Sequence, residues 1–251
     1  MMTLKGLVIR EEIRGATSKM IYILTAEKGI LGVFVRGGLK SGKYSSSTQL
    51  YVYSEFCIED KTNVRGLKNY YLNSAEPINM FYNIRLDVKR TALCAYMTDI
   101  LYYSRIEASS DKNELLRLTL NTFYYINEGK RDLELLRASF EIRLISDTGF
   151  RANLIGCHRC YKYEDNIMYF NLAFGTLECE DCCDNKESQF RIRLDRSMLY
   201  IMRYIVLSDI DKLFNLKVSP AYQEKLTELG ERYVMFYFRD SLRLLWFYKS
   251  I

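Results

Sequence analysis

Residues 4–38 read LKGLVIREEIRGATSKMIYILTAEKGILGVFVRGG, and this stretch decides the fold. Leu4–Ile13 is rich in β-formers and ends at the turn Arg14-Gly15. Met20–Thr25 is apolar and β-branched, and Ala26-Glu27-Lys28-Gly29 is a tight connection. Ile30–Arg36 follows as a third run, closed by Gly37-Gly38. Short β-rich runs separated by glycine-bearing turns read as consecutive strands. Downstream, Leu39–Thr48 is polar, Ser-rich and basic without periodicity, which marks a loop. Leu50–Glu59 then alternates, with Val52, Phe56 and Ile58 among its apolar positions, and Leu67–Ala75 is a fifth strand candidate.

Five short strands within residues 1–79 predict a small barrel, and the five-stranded barrel that commonly binds nucleic acid is the OB-fold. At Pro77 the hydrophobic period changes. Leu86, Leu93, Met97, Ile100 and Leu101 share one helical face. Asp111 and Glu114 have capping-box spacing before a helix that carries Leu116, Leu120 and Phe123 and stops at Gly129. A third helix places Leu133, Leu136, Phe140 and Leu144 on one stripe and stops at Gly149. Met198, Ile201, Met202 and Ile205 mark a short amphipathic helix, and Pro220 to Tyr248 reads as one long helix. The expected class is α+β: a barrel domain over residues 1–79, then a mainly helical domain over 80–251 with a cysteine-bearing module inserted at about 150–190.

Charge points to the barrel. The 251 residues carry a net +5, but residues 1–79 hold 11 basic and 7 acidic side chains, 80–150 hold 10 of each, and 151–251 hold 15 and 14. Lys28 to Ser54 contains Lys28, Arg36, Lys40 and Lys43 and no acid. A polyanion is therefore sought on the barrel. Arg10, Arg14, Lys19, Arg36, Lys40 and Lys43 are the candidate phosphate contacts. Tyr22, Phe34, Tyr44, Tyr51 and Tyr53 are candidates for base stacking, although alternation turns about half of strand aromatics inward. Tyr44 is the one placed in the polar loop. The bundle cations Arg85, Lys89, Arg90 and Arg117 read as the polar side of ordinary amphipathic helices.

With 49% apolar and 27% charged residues the composition is globular rather than disordered. No apolar run follows a basic start and none approaches the ~18 residues of a membrane span. A cytoplasmic protein is expected, and in that compartment paired cysteines point to metal or redox use rather than disulfides.

Cys157-His-Arg-Cys160 and Cys179-Glu-Asp-Cys182 give C-x2-C-x18-C-x2-C. Two such turns aim four thiolates at one point and complete a tetrahedral zinc site. A hairpin with its turn at Gly175 brings them together. Cys183 adjoins Cys182 and can replace it, and His158, the only histidine, is a ligand in principle. Four protein ligands leave no position for a reactive water, so a structural Zn2+ is expected. Cys57 and Cys94 sit in apolar periodic contexts and read as core. There is no G-x-S-x-G elbow, no phosphate-binding Walker loop and no paired carboxylate site, so no catalysis is expected.

The ordered parts resemble the RecO family of bacterial recombination mediators. Lys5-Gly-Leu-Val-Ile-Arg10, Arg14-Gly-Ala-Thr-Ser-Lys19, Leu24-Thr25, Gly29 and Arg36-Gly37-Gly38 carry the N-terminal likeness. Leu144–Phe150 running into the first C-x2-C, then Tyr169-Phe170, Gly175 and the second C-x2-C carry the middle. Ser241-Leu242 and Trp246-Phe247 are similar at the end. The resemblance implies binding to single- and double-stranded DNA and annealing of complementary strands. It also implies engagement of the C-terminal tail of single-stranded DNA-binding protein, association with RecR, indirect help in loading RecA at gaps, and a nucleoid-associated place in the cytoplasm. The rival expectation from residues alone is a zinc-containing adapter that binds proteins and touches DNA incidentally.

Overall fold

The computed structural model describes residues 1–39, 44–62, 66–104, 111–148, 152–238 and 242–251. The chain forms two compact units. One comprises Met1–Ile106, Asp111–Glu128 and Leu244–Ile251, and the other Glu107–Ser110 and Gly129–Arg243. The change from strands to helices falls near residue 80, but the barrel's compact unit also takes in the first helices and the last eight residues.

In the first unit β1 (Met2–Arg14), β2 (Ser18–Thr25), β3 (Gly29–Val35), β4 (Tyr53–Thr62) and β5 (Lys68–Asn79) close into a barrel in the order β1-β2-β3-β5-β4. The pairings are antiparallel except β3 with β5, which run parallel and meet at Phe34 and Tyr71. Strict alternation builds the interior: Leu31, Val33 and Val35 of β3 face in with Ile21, Ile23, Phe56 and Ile58. Gly15 and Gly29 take positive φ (76° and 68°) in the hairpin turns, which a side chain adopts at a cost.

The fourth strand starts three residues later than the alternation suggests. Tyr51 stands before it at φ 67°, its ring buried against Phe123 at 5.7 Å. Pro77 does not end the strands; it lies in β5 opposite Ser54. Among the described residues β5 pairs with β3 only at Tyr71, so at Pro77 the strand is paired on one side, the edge setting in which proline is tolerated.

A short 3-10 turn (Tyr82–Leu86) precedes α1 (Val88–Tyr103), so Leu86 lies outside the helix and exposed, whereas Leu93, Met97, Ile100 and Leu101 are buried as expected. The α1 start is fixed by Asp87, whose side chain accepts from the Arg90 amide at 3.0 Å. In α2 (Lys112–Glu128) the Asp111 carboxylate accepts from the amides of Asn113 and Glu114, while Glu114 turns to Arg117 instead of reaching back. Half of the predicted capping box therefore forms.

The second unit centres on α3 (Leu133–Asp147), capped by Asp132 and buried on every side from Leu136 to Ser146. The sequence marks only its apolar stripe. The flank of that stripe holds Arg137, whose guanidinium pairs with Glu134, Glu141 and Glu231 at 2.8 Å each. Arg143 pairs with Asp147 at 2.8 Å and donates to the carbonyls of Ile205 and Ser208. The expected stop at Gly149 lies outside the described residues.

The unit also holds a four-stranded sheet of β6 (Asn153–Cys157), β7 (Ile167–Asn171), β8 (Thr176–Cys179) and β9 (Arg191–Asp195), and the helices α4 (Arg196–Leu207), α5 (Ile210–Leu213) and α6 (Pro220–Tyr237), of which α4 and α6 pack on α3. The predicted single helix from Pro220 to Tyr248 is a misreading. α6 ends where Phe238 leaves helical geometry (φ −131°), and α7 (Leu242–Lys249) begins afresh. The apolar stripe resumes in register at Leu244 after skipping Asp240, and no glycine or proline marks the break.

Asp195 ends β9 and caps α4, accepting from the Met198 amide at 2.9 Å. Asp195→Ala is expected to cost about 1 kcal/mol while Asp195→Asn keeps most of the cap; urea melts of the two variants against the parent measure the difference.

Candidate metal centre and nucleic-acid interface

The sheet of the second unit builds the metal centre. β6 and β8 run side by side in parallel, with Cys157 opposite Leu177, and β7 pairs β8 so that Met168 faces Cys179. Each C-x2-C turn therefore sits at the end of one of two adjacent strands. Gly156 has no Cβ because the Lys162 carbonyl would lie 2.9 Å from it. That closeness lets the chain fold back tightly enough for the Tyr161 amide to bond the Cys157 carbonyl at 2.9 Å. The second turn closes with the amides of Cys182 and Cys183 on the Cys179 carbonyl, at 3.1 and 3.0 Å.

The sulfurs of Cys157, Cys160, Cys179 and Cys182 all lie within 4.8 Å of one another, with Cys160 and Cys179 at 3.6 Å. A tetrahedron with metal–sulfur bonds of ~2.3 Å has edges of about 3.8 Å. The four thiols therefore fit one metal ion. Without it the Cys157 and Cys182 thiols are driven in opposite directions. Burial pushes Cys157 up, but the amides of Cys160, Cys179 and Arg159 outweigh it and bring it down to about 6. The thiols of Cys179 and Cys160 push Cys182 up to about 12. A cation at the centre favours all four thiolates at once.

Cys182, and not Cys183, has its sulfur in the cluster. The Cys183 thiol is buried and faces Glu178, and both its burial and that carboxylate push it up. Glu178 itself, 2% exposed, is held by Arg191 through bonds of 2.7 and 3.1 Å, which outweigh its burial and keep its carboxyl below the usual range. His158 is not among the clustered ligand atoms; its ring Nδ1 lies 3.2 Å from the Leu177 carbonyl. Asp165 and Asp181 approach Cys179 but are engaged by the Lys162 ammonium at 2.8 and 3.1 Å. Cys94 is buried, as expected; Cys57 is only partly so.

On the barrel, the predicted cations separate by environment. Arg36 is exposed and has no ion pair among the described residues; its guanidinium lies 4.9 Å from the Tyr71 ring centroid. Arg14 is exposed but bonded to Glu12 at 2.7 Å. Arg10 shares Glu12 at 3.2 Å and lies over Tyr102 at 4.6 Å. Lys19 is 5% exposed, its ammonium held by Glu11 at 2.8 Å and the Thr48 carbonyl at 2.7 Å, so it ties a loop to the barrel. Lys40 and Lys43 lie outside the described residues. Tyr44 is not a free loop aromatic: it packs against the barrel core and its hydroxyl donates to the Asn73 carbonyl.

Of the other aromatics, Tyr51 is buried in packing and Tyr53 is half-buried. Tyr22 meets Tyr102 edge-on at 5.1 Å, and Phe34 meets Tyr71 at 5.9 Å. Tyr71 and Lys61, which lies 5.8 Å from the Tyr71 centroid, are absent from the sequence-based set. The pair Tyr70-Tyr71 carries the signal: in a strand one of two neighbours must face outward.

No helix among the described residues is long and apolar enough to cross a membrane. Residues 1–81 match the family described as "Recombination protein O N terminal", and residues 85–244 match "Recombination protein O C terminal". Among relatives named "DNA repair protein RecO", the one from Acetivibrio thermocellus is 30% identical over 231 residues, 91% of this chain and 88% of the relative. The one from Alkaliphilus metalliredigens is 27% identical over 92% of this chain and 91% of its own. The one from Caldicellulosiruptor bescii is 25% identical over 98% and 97%. The likeness covers barrel and helical region alike, in order and nearly end to end: the chain belongs to the RecO family of DNA repair proteins.

Proposed function

We propose that this chain is a non-catalytic mediator of DNA repair that binds single- and double-stranded DNA through its barrel and anneals complementary strands. With RecR, it helps load RecA onto strands coated by single-stranded DNA-binding protein, whose C-terminal tail it engages. One zinc ion, held by Cys157, Cys160, Cys179 and Cys182, has a structural role, since an all-thiolate set suits zinc and leaves no open coordination position. The partners rest on family membership. The observation that carries DNA binding is the exposed Arg36 guanidinium beside an aromatic ring, on a barrel segment with 11 basic and 7 acidic residues. Annealing then requires only that two backbones be held with their charge screened; no bond is made or broken, and no general base is needed.

A protein-binding adapter is the second reading. It draws on Tyr161, Tyr163 and Phe174, which are exposed on the metal-bearing segment, a stretch (152–195) with five basic and eight acidic residues. Fluorescence anisotropy of a labelled single strand across a salt series separates the two. Replacing Arg36, Lys40 and Lys43 together by Ala is expected to weaken binding and to make the salt slope shallower by about 2. A parent protein that binds no strand at low salt would leave the adapter reading standing alone.

A further inference from the structure

The outside of the barrel carries an apolar strip where a water-facing sheet is ordinarily polar. It begins at Tyr102 of α1, which meets Tyr22 of β2 at 5.1 Å. Gly32 of β3 lies opposite Tyr22, and a Cβ there would sit 3.4 Å from the Tyr22 ring and 3.7 Å from the Met20 sulfur, so the glycine lets both side chains lie across β3. Met20 is cross-strand from Phe34, and Phe34 meets Tyr71 of β5 at 5.9 Å. All of these rings are half-buried, so one surface of the strip is open. Cations stand at both ends: Arg10 at Tyr102, and Arg36 and Lys61 at Tyr71. The acids beside them are Glu12, shared by Arg10 and Arg14, and Glu59, 3.4 Å from Lys61; Arg36 has none among the described residues.

We propose that this strip, with Phe34 and Tyr71 at its basic end, is a base-stacking track that makes the barrel prefer single-stranded nucleic acid to duplex. This deepens the DNA-binding reading and rests on it. The chemistry is specific to unpaired bases. An aromatic face offers nothing to a phosphate, and duplex bases are already stacked on one another, so rings help only a strand whose bases can be laid on them. Arg36 and Lys61 would neutralise the backbone running alongside. A protein-docking face would not need cations drawn up against the rings, and cross-strand packing alone would leave nucleic-acid binding untouched when a ring is removed.

The test measures a labelled 20-nucleotide oligo-dT, a 20-base-pair duplex and an abasic 20-mer of the same charge against the full chain. Variants are Phe34→Ala, Tyr71→Ala and Tyr71→Phe, each checked by thermal melting. Tyr71→Ala is expected to weaken oligo-dT binding between about 5- and 100-fold with an unchanged salt slope, to leave the duplex unaffected, and to be rescued by Tyr71→Phe. The parent is expected to bind the abasic strand more weakly than oligo-dT by at least that factor, since every ring loses its base, a comparison that stands even if Tyr71→Ala fails to fold. Equal affinity of the parent for abasic and oligo-dT strands, or equal losses on single strand and duplex, overturns the track while leaving barrel binding intact. A parent that binds none of the three overturns both.

Discussion

Cys179→Ser is expected to abolish metal binding at the four-thiol cluster and to loosen the two C-x2-C turns that carry it. Cys179 ends β8, the strand between β6 and β7, and its 0% exposure leaves a hydroxyl there with no solvent to satisfy it. Binding of structural zinc contributes on the order of 10 kcal/mol or more in small zinc modules. β7 also buries Met168 and Phe170, so part of the sheet has apolar support of its own. The effect should therefore concentrate on the turns around Cys157–Cys160 and Cys179–Cys182. Metal content by elemental analysis, with limited proteolysis of residues 152–195, measures both consequences. Cys183→Ser is the matched control: it faces Glu178 rather than the cluster and should retain one metal per chain. Metal lost by Cys183→Ser and kept by Cys182→Ser would reverse the ligand assignment.

The second large effect is expected at Arg137. Its guanidinium is 1% exposed and compensates three carboxylates, one of which, Glu141, is fully buried. The surrounding carboxylates raise Arg137 above even its ordinary range in spite of burial. Arg137→Ala removes the cation that pairs with the buried Glu141 carboxylate and should cost about 3–5 kcal/mol. Arg137→Met combined with Glu141→Leu removes both charges while keeping volume, and should recover most of that loss. Denaturant melts followed by helical circular dichroism measure the cycle; additive losses would mean that the two residues do not interact. Gly230 of α6 belongs to the same arrangement, because a Cβ there would collide with the Glu141 carboxylate.

This network was not legible in the sequence, and the reason is physical. Leu136, Phe140 and Leu144 announce one buried stripe, and they are buried. Arg137 and Glu141, a turn apart, have the spacing of a solvated ion pair, and only the packing of α6 against α3 turns that face inward. The barrel, in contrast, was legible because short β-rich runs follow one another and every early turn has a glycine. So was the metal cluster, because thiolate geometry allows few spacings. Phosphate contacts were the least legible. Charge along a chain locates a basic segment but does not say which cations are already taken, as Lys19 is by Glu11 and Arg14 by Glu12. Nor does it register Tyr71, which acquires its neighbours from β3 and β4 only once the barrel closes.

The first compact unit draws its final piece, Leu244–Ile251, from beyond the whole of the second. Leu245 and Tyr248 in that piece are buried, and the Lys89 ammonium lies over the Tyr248 ring at 5.6 Å. On the ribosome this arrangement has a temporal meaning. The barrel strands emerge first and can pair with one another at once, yet the unit that contains them stays unfinished until some 115 further residues have been made. At synthesis rates of about 5–20 residues per second that is a wait of roughly 6–23 seconds. During that interval the apolar surface destined to meet Leu245 and Tyr248 stands uncovered, and it is there that a nascent chain of this protein would offer a chaperone its handhold.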